Sequence, residues 1–215
     1  MIKVGIIGAS GMAGSAIYKL ATKQENLAVT GIVRNKEKAE KVLGADANLL
    51  IGDVFSMDDS LLKEFDVLVD AFATTPEHAD QQVTLAKKLV TLAKDRNERV
   101  IFILGAGSLQ TGSDKHLVVE DIEKMPGSEA WVNIPKQQLK ELEYLRTVKD
   151  VDWVGISPAM EFEAGPETDF ELGHDELLFN DAKESKVTSG TMARVVVNEI
   201  LDSKHHKERI TVVNK

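Results

Sequence analysis

Gly8-Ala9-Ser10-Gly11-Met12-Ala13-Gly14 breaks the apolar run Ile2-Lys3-Val4-Gly5-Ile6-Ile7 and leads into Ser15, Ala16, Ile17 and Leu20, whose spacing is helical. The run before the glycines reads as a strand and the run after them as a helix, so the glycines occupy a strand-to-helix turn. In a dinucleotide-binding turn each glycine has a task. Gly8 lets the chain bend sharply off the strand, Gly11 lets backbone approach a pyrophosphate, and Gly14 lets the helix pack tightly on the first strand. The helix start offers free N–H groups and the positive end of its dipole to the phosphates. Gly8, Ser10, Gly11 and Met12 are therefore candidate cofactor contacts. The spacing is Gly-x-x-Gly-x-x-Gly, with Ser10 where Gly-x-Gly-x-x-Gly carries its second glycine. A tight connection that holds no ligand uses the same residues, so the rest of the chain must decide.

The 215 residues are 43% hydrophobic, enough for one sizeable core, and the expectation is a single domain over residues 1–215 with a small acceptor-side region at about 158–190. No stretch approaches the roughly 20 apolar residues of a membrane span, and Met1 leads directly into the first strand rather than into a basic, then apolar, leader. With no cysteine, thiol catalysis and cysteine-ligated metals are excluded, and a cytoplasmic location fits. The net charge of −9, with scattered lysines, argues against nucleic acid as a partner. The expected partners are a small-molecule acceptor and, at most, a second copy in a homodimer.

Short apolar runs alternate with stretches of helical period, the pattern of βαβ units. Strands are expected at 27–33, 48–51, 66–72, 99–104, 151–156 and 210–213. Helices are expected at 36–43, after Ser56 or Asp58 (carrying Leu61, Leu62 and Phe65 inward), at 75–94, 136–148 and 191–201. Residues 111–133 read as irregular, 162–166 as loop and 170–179 as a small hairpin. The fold class is α/β: a Rossmann-like doubly wound parallel sheet with helices on both faces.

Ligands of such sheets lie outside the carboxyl ends of the strands, where the strand order reverses. Arg34 ends the second strand 20 residues beyond Gly14, where a dehydrogenase choosing NAD usually places an acid. A permanently charged guanidinium suits a 2′-phosphate, which favours NADP(H) over NAD(H). A solvated arginine beside Lys36 and Lys38 is the other reading. Asp53 is placed to accept from an adenine amino group or to cap a turn, with Val54 packing on the ring. Ala71, Phe72 and Ala73 let a dinucleotide lie close to the fourth strand.

Together with the glycine turn, Val33-Arg34-Asn35, Gly52-Asp53-Val54, Gly105-Ala106-Gly107-Ser108-Leu109, Ser157-Pro158-Ala159 and Leu172-Gly173-His174-Asp175-Glu176-Leu177-Leu178 resemble the NADH-flavin reductases. Those are atypical short-chain dehydrogenases with nitrogen-metabolite-repressor-like and biliverdin-reductase-B-like members. The likeness covers nearly the full length. It implies an NAD(P)-bound Rossmann domain that passes hydride to a flavin or similar planar acceptor, with flavin as substrate rather than as bound cofactor. Related enzymes keep a catalytic serine near Ser108, which either touches an acceptor or holds its loop. Gly107 and Pro158 fall on the same acceptor side. Lys136 either attracts an anionic acceptor or is a solvated helix-start lysine.

Short-chain dehydrogenases acting on alcohols use Tyr-x-x-x-Lys, because the tyrosine exchanges a proton with the substrate oxygen. Neither Tyr18 nor Tyr144 has a lysine four residues later, so alcohol chemistry and epimerisation are not expected. Flavin reduction needs no such acid, since the proton can come from water. The histidines have no ligand spacing, and no metal is expected. A non-catalytic NADP(H)-binding redox sensor or regulatory protein is the alternative.

Overall fold

The computed structural model describes residues 1–94, 96 and 98–215. Strand β1 (Ile2–Ile7) runs into α1 (Met12–Ala21), followed by β2 (Leu27–Val33), α2 (Lys36–Leu43), β3 (Leu49–Ile51), α3 (Asp59–Leu62) and β4 (Val67–Asp70). Helix α4 (Gln81–Ala93), β5 (Arg99–Ile103), the two-residue strands β6 (Gln110–Thr111) and β7 (His116–Leu117), α5 (Val118–Lys124) and α6 (Asn133–Thr147) come next. The chain ends with β8 (Asp152–Pro158), β9 (Glu161–Glu163), β10 (Phe170–Gly173), β11 (Lys186–Thr188), α7 (Ser189–Leu201) and β12 (Glu208–Asn214).

Among the described residues the main sheet runs β10-β12-β8-β5-β4-β1-β2-β3. Its pairs are parallel except β10, which is antiparallel to β12 at the edge. This is the doubly wound arrangement expected, with helices on both faces. Side chains alternate between the two layers: Val67, Val69 and Ile101 join the core that contains Ile17, Val196 and Ile200, whereas Leu68, Val100 and Phe102 join the one that contains Leu85, Leu89, Leu142 and Leu145. One layer is thus closed by α1 and α7, the other by α4 and α6. Each fully buried aliphatic or phenyl side chain contributes about 1.5–3 kcal/mol of burial.

Several local expectations need correction. Residues 75–94 are not one helix: Pro76–His78 forms a separate 3-10 turn before α4. Leu61 is 39% exposed, because the single turn of α3, capped by Asp58, sends Leu62 inward instead. The stretch read as irregular holds α5, whose Val118, Val119 and Ile122 are buried. Residues 162–166 begin inside β9, which pairs with β11. There is no hairpin at 170–179: β10 finds its partner in β12, and the following segment crosses to Gln110, whose N–H donates to Asp175 O at 2.7 Å. Among the described residues no helix is long and apolar enough to cross a membrane.

Candidate functional site

β1 leads through α1 to β2 on one side, whereas β4, its neighbour on the other side, leads on to β5, so the two connections run in opposite directions and open a crevice at the carboxyl ends of β1 and β4. A cleft of about 220 Å³ occupies this point. Its floor is the glycine turn. Gly8 has φ +73°, and a Cβ there would lie 2.4 Å from Ala71 O, so only glycine fits both the bend and the neighbouring strand end. Gly11 N donates to Gly8 O at 2.8 Å and closes the turn. At Gly14 a Cβ would stand 2.3 Å from Gly8 O and 2.9 Å from Ala9 Cα, which seats α1 directly on the end of β1. The helix begins from extended Gly11 with no side-chain cap and no acidic residue in its first turn. Its first N–H groups and positive dipole end are left for an anion.

At the far end the cleft is lined by Val33, Arg34, Asn35 and Lys38. Asn35 Oδ1 accepts from Lys38 N at 2.9 Å, capping α2 and setting Lys38 one turn beyond Arg34. Both cations are exposed, and neither has an ion-pair partner among the described residues, whereas Lys36 pairs with Glu40 at 3.6 Å. Two cations at one end and an open helix start at the other form a field suited to a ligand with phosphates at both places.

The walls are Ile32, Gly52, Val54 and Ala71-Phe72-Ala73. Phe72 is braced edge-on by Phe55, with ring centroids 5.4 Å apart, and its N–H donates to Asp70 Oδ1 at 3.0 Å. Burial holds the Asp70 carboxyl up to about 7, against the bond from Phe72. Gly8, Ser10, Gly11, Arg34, Val54, Ala71, Phe72 and Ala73 all line this one cleft. Two other candidates lie elsewhere. Asp53 is exposed outside the lining, and its Oδ1 accepts from Phe55 N at 3.0 Å, the turn-capping alternative. Met12 borders a shallow groove on the other flank of the helix start, with Ser15 and Lys19. Lys38 and Asn35 were not singled out from the sequence; the cue was Asn35 as a helix cap directly after Arg34, with Lys38 one turn past Arg34.

The acceptor-side candidates do not line this cleft. Gly107 packs against Pro135, where a Cβ would come within 2.6 Å. Ser108 is buried, and its hydroxyl donates to Gly105 O at 3.3 Å while accepting from Arg209 Nη1 at 3.2 Å. Lys136 is ion-paired with Glu123, and Pro158 is buried at the end of β8. The centre of this region is Arg209, missed in the sequence. Its guanidinium also reaches Ser157 Oγ at 3.1 Å and Asp175 Oδ1 at 2.9 and 2.6 Å. One buried cation therefore ties the Gly-Ala-Gly-Ser-Leu loop, β8 and the 172–178 segment to β12.

Known proteins match this arrangement over its whole length. YwnB, an uncharacterised protein of Bacillus subtilis (strain 168), is 33% identical over 217 residues, covering 100% of this chain and 99% of that protein. A crystal structure of a Lactobacillus casei protein superposes with a TM-score of 0.91 at 29% identity, covering 99% of each chain. One from Streptococcus pneumoniae TIGR4, named a putative NADH-flavin reductase, gives a TM-score of 0.88 at 28% identity with 100% of each chain covered. The model of a family described as NAD(P)H-binding matches residues 8–204, from the first turn glycine to beyond α7. The chain belongs to the NAD(P)H-binding family.

Proposed function

We propose that this chain is an NAD(P)H-dependent reductase that passes hydride to a flavin or similar planar acceptor, with NADP(H) favoured over NAD(H). The observation that carries the reading is the charge layout of the cleft: an uncapped helix start at the β1–β4 reversal, and Arg34 with Lys38 at the other end. When bound, the cofactor supplies the hydride. The chain's own part is placement. The α1 start holds the pyrophosphate, Arg34 and Lys38 hold the 2′-phosphate, Val54 flanks the adenine, and Ala71 to Ala73 let the dinucleotide lie against the end of β4. The absence of Tyr-x-x-x-Lys in the sequence supports an acceptor that needs no built-in proton donor, and the name of the pneumococcal relative agrees. Steady-state oxidation of NADPH with FMN, FAD or riboflavin tests this. Turnover above the rate of NADPH and flavin alone is expected, and no excess rate would refute it.

The bonds at Ser108 favour one second reading, a redox sensor that binds NADP(H) without turnover, because its hydroxyl is committed to Gly105 and Arg209. Such a protein would bind NADP and NADPH with unequal affinity and show no flavin-dependent oxidation.

A further inference from the structure

Beneath the cleft wall lies a polar group that nucleotide binding leaves unused. Asp70 ends β4 in phase with Leu68, so its side chain enters the layer closed by α4 and α6. Glu141 of α6 and Gln82 of α4 line the same crevice, with Phe72 and Ile103. Asp70, Gln82 and Glu141 are only 5%, 6% and 4% exposed. The crevice has no room for a water molecule.

Gln82 Oε1 is buried and has no hydrogen-bond partner among the described residues. A buried acceptor left so costs about 1–3 kcal/mol, so a donor is required. The side chains of Phe72 and Ile103 carry none, and Phe72 N–H is already given to Asp70. What the lining can still supply is the O–H of a protonated carboxyl. The charged groups on the surrounding elements are turned elsewhere. On α4, Lys88 reaches Asp59 and the carbonyls of Phe55 and Met57, and Lys87 lies over the Tyr144 ring. On α6, Lys136 pairs with Glu123 and Arg146 with Asp175, and Lys140 and Glu143 are exposed. Arg99, at the opposite end of β5, pairs with Asp152 and Glu199. Glu77, His78 and Asp80 lie exposed on the turn before α4. Two ionised carboxylates facing each other in this crevice would have no cation among the described residues to offset them. Burial, and for Glu141 also the neighbouring Asp70, pushes both carboxyls above their ordinary range.

We propose that Asp70, Glu141 and Gln82 form a proton-holding site coupled to nucleotide binding: the carboxyls retain a proton that Gln82 Oε1 accepts, and a nucleotide seated against Phe72 tightens the hold on it. This rests on the nucleotide reading of the cleft. Phe72 lines both the cleft and the crevice. Covering it replaces solvent on the cleft side of the Phe72 ring, which lowers the polarity around the already dry acid pair, and brings phosphate charge nearer, and both effects favour the neutral acid. Binding therefore takes up a proton, and affinity falls as pH rises, by at most about tenfold per pH unit for one proton.

The test is calorimetric titration with NADH, which lacks the titrating 2′-phosphate, at one pH near neutrality in buffers of different ionisation enthalpy. Net proton uptake is expected for the natural chain and for His78→Gln, and its loss is expected in Glu141→Gln, which keeps the shape and supplies an N–H donor. Binding without proton uptake, or uptake unchanged in Glu141→Gln, overturns the proposal. Infrared spectra of the nucleotide-free protein test the proton site alone: a protonated-carboxyl C=O band at neutral pH, lost in Glu141→Gln and in Asp70→Asn, is expected. Its absence overturns the site. Failure of NADH and NADPH to bind overturns the cleft reading and the coupling with it, whereas the band then still decides whether the proton is held.

Discussion

Alanine at Gly14 and at Gly11 should separate what the turn does for the fold from what it does for the ligand. Gly14 is the third residue of α1, and glycine to alanine inside a helix ordinarily stabilises by about 0.5–1 kcal/mol. Here the new Cβ meets backbone, 2.3 Å from Gly8 O and 2.9 Å from Ala9 Cα, and neither atom can rotate away. The helix must lift off β1, and overpacking of this kind costs about 1–3 kcal/mol, occasionally more. The net expectation for Gly14→Ala is a loss of about 1–2 kcal/mol, or roughly 2–8 °C in Tm at 2–4 °C per kcal/mol for a chain of this size. At Gly11 the added carbon meets only Gly8 O, at 3.2 Å, so stability should change by less than about 1 kcal/mol. On the proposed placement of the pyrophosphate that methyl stands in its path, and NADPH affinity should fall about tenfold or more, equivalent to about 1.4 kcal/mol. Thermal unfolding by circular dichroism and calorimetric titration measure the two effects. A Gly14→Ala protein as stable as the natural one, or a Gly11→Ala protein that binds NADPH unchanged, would refute the reasoning.

Arg34→Glu should raise the NADPH Kd about 100-fold, from a lost charge-assisted bond of roughly 1.5–3 kcal/mol plus new repulsion, and leave NADH within about threefold; equal losses for both would place Arg34 outside the site. Arg209→Met should cost about 3 kcal/mol, because it removes the buried donor to the hydroxyls of Ser108 and Ser157 and leaves Asp175 without its buried partner, and urea unfolding that moves by less than about 1 kcal/mol would contradict this. Asp70 and Glu141 hold protons more tightly folded than unfolded, so their contribution is fullest below the ordinary carboxylate range and is lost as pH rises through the folded values, for Asp70 towards about 7. The slope is about 1.4 kcal/mol per pH unit for each proton retained. Glu141→Gln should flatten that decline between about pH 4 and 7, the window between the unfolded carboxylate range and the folded Asp70 value; an unchanged slope would show that the pair does not titrate as a unit.

What was legible in the sequence was local. β1, the glycine turn and α1 are contiguous, and their hydrophobic period announces them, as it does β2, α2 and β12. Thr75-Pro76-Glu77 carries good helix-start chemistry, but the structure uses it for a 3-10 turn before α4, a choice that tertiary contact makes. Asn133 Nδ2 holds Pro76 O at 2.6 Å from 57 residues away. Helix α5 escaped notice because three β-branched residues in seven is a weak helical signal, and its burial comes from the 106–109 loop and Leu177. The site divides the same way. Gly8, Gly11 and Arg34 follow from strand-end position, whereas Arg209 stands 101 residues from Ser108 and 52 from Ser157. Asp70 read as one polar residue in an apolar run, and nothing in the sequence says that Glu141 and Gln82 share its crevice. Such clusters depend on the packing of α4 against α6, which no short-range pattern encodes.

The central claim is that the cleft at the β1–β4 reversal is a dinucleotide site whose far end reads the 2′-phosphate. Calorimetric titration of the purified protein with NADPH and with NADH, in parallel at one salt concentration, tests it most directly. Saturable binding of one NADPH per chain, at least about tenfold tighter than NADH, is the predicted result for one charge-assisted contact to the 2′-phosphate. No saturable binding of either nucleotide would contradict the site, and NADH binding as tightly as NADPH would contradict the role given to Arg34 and Lys38.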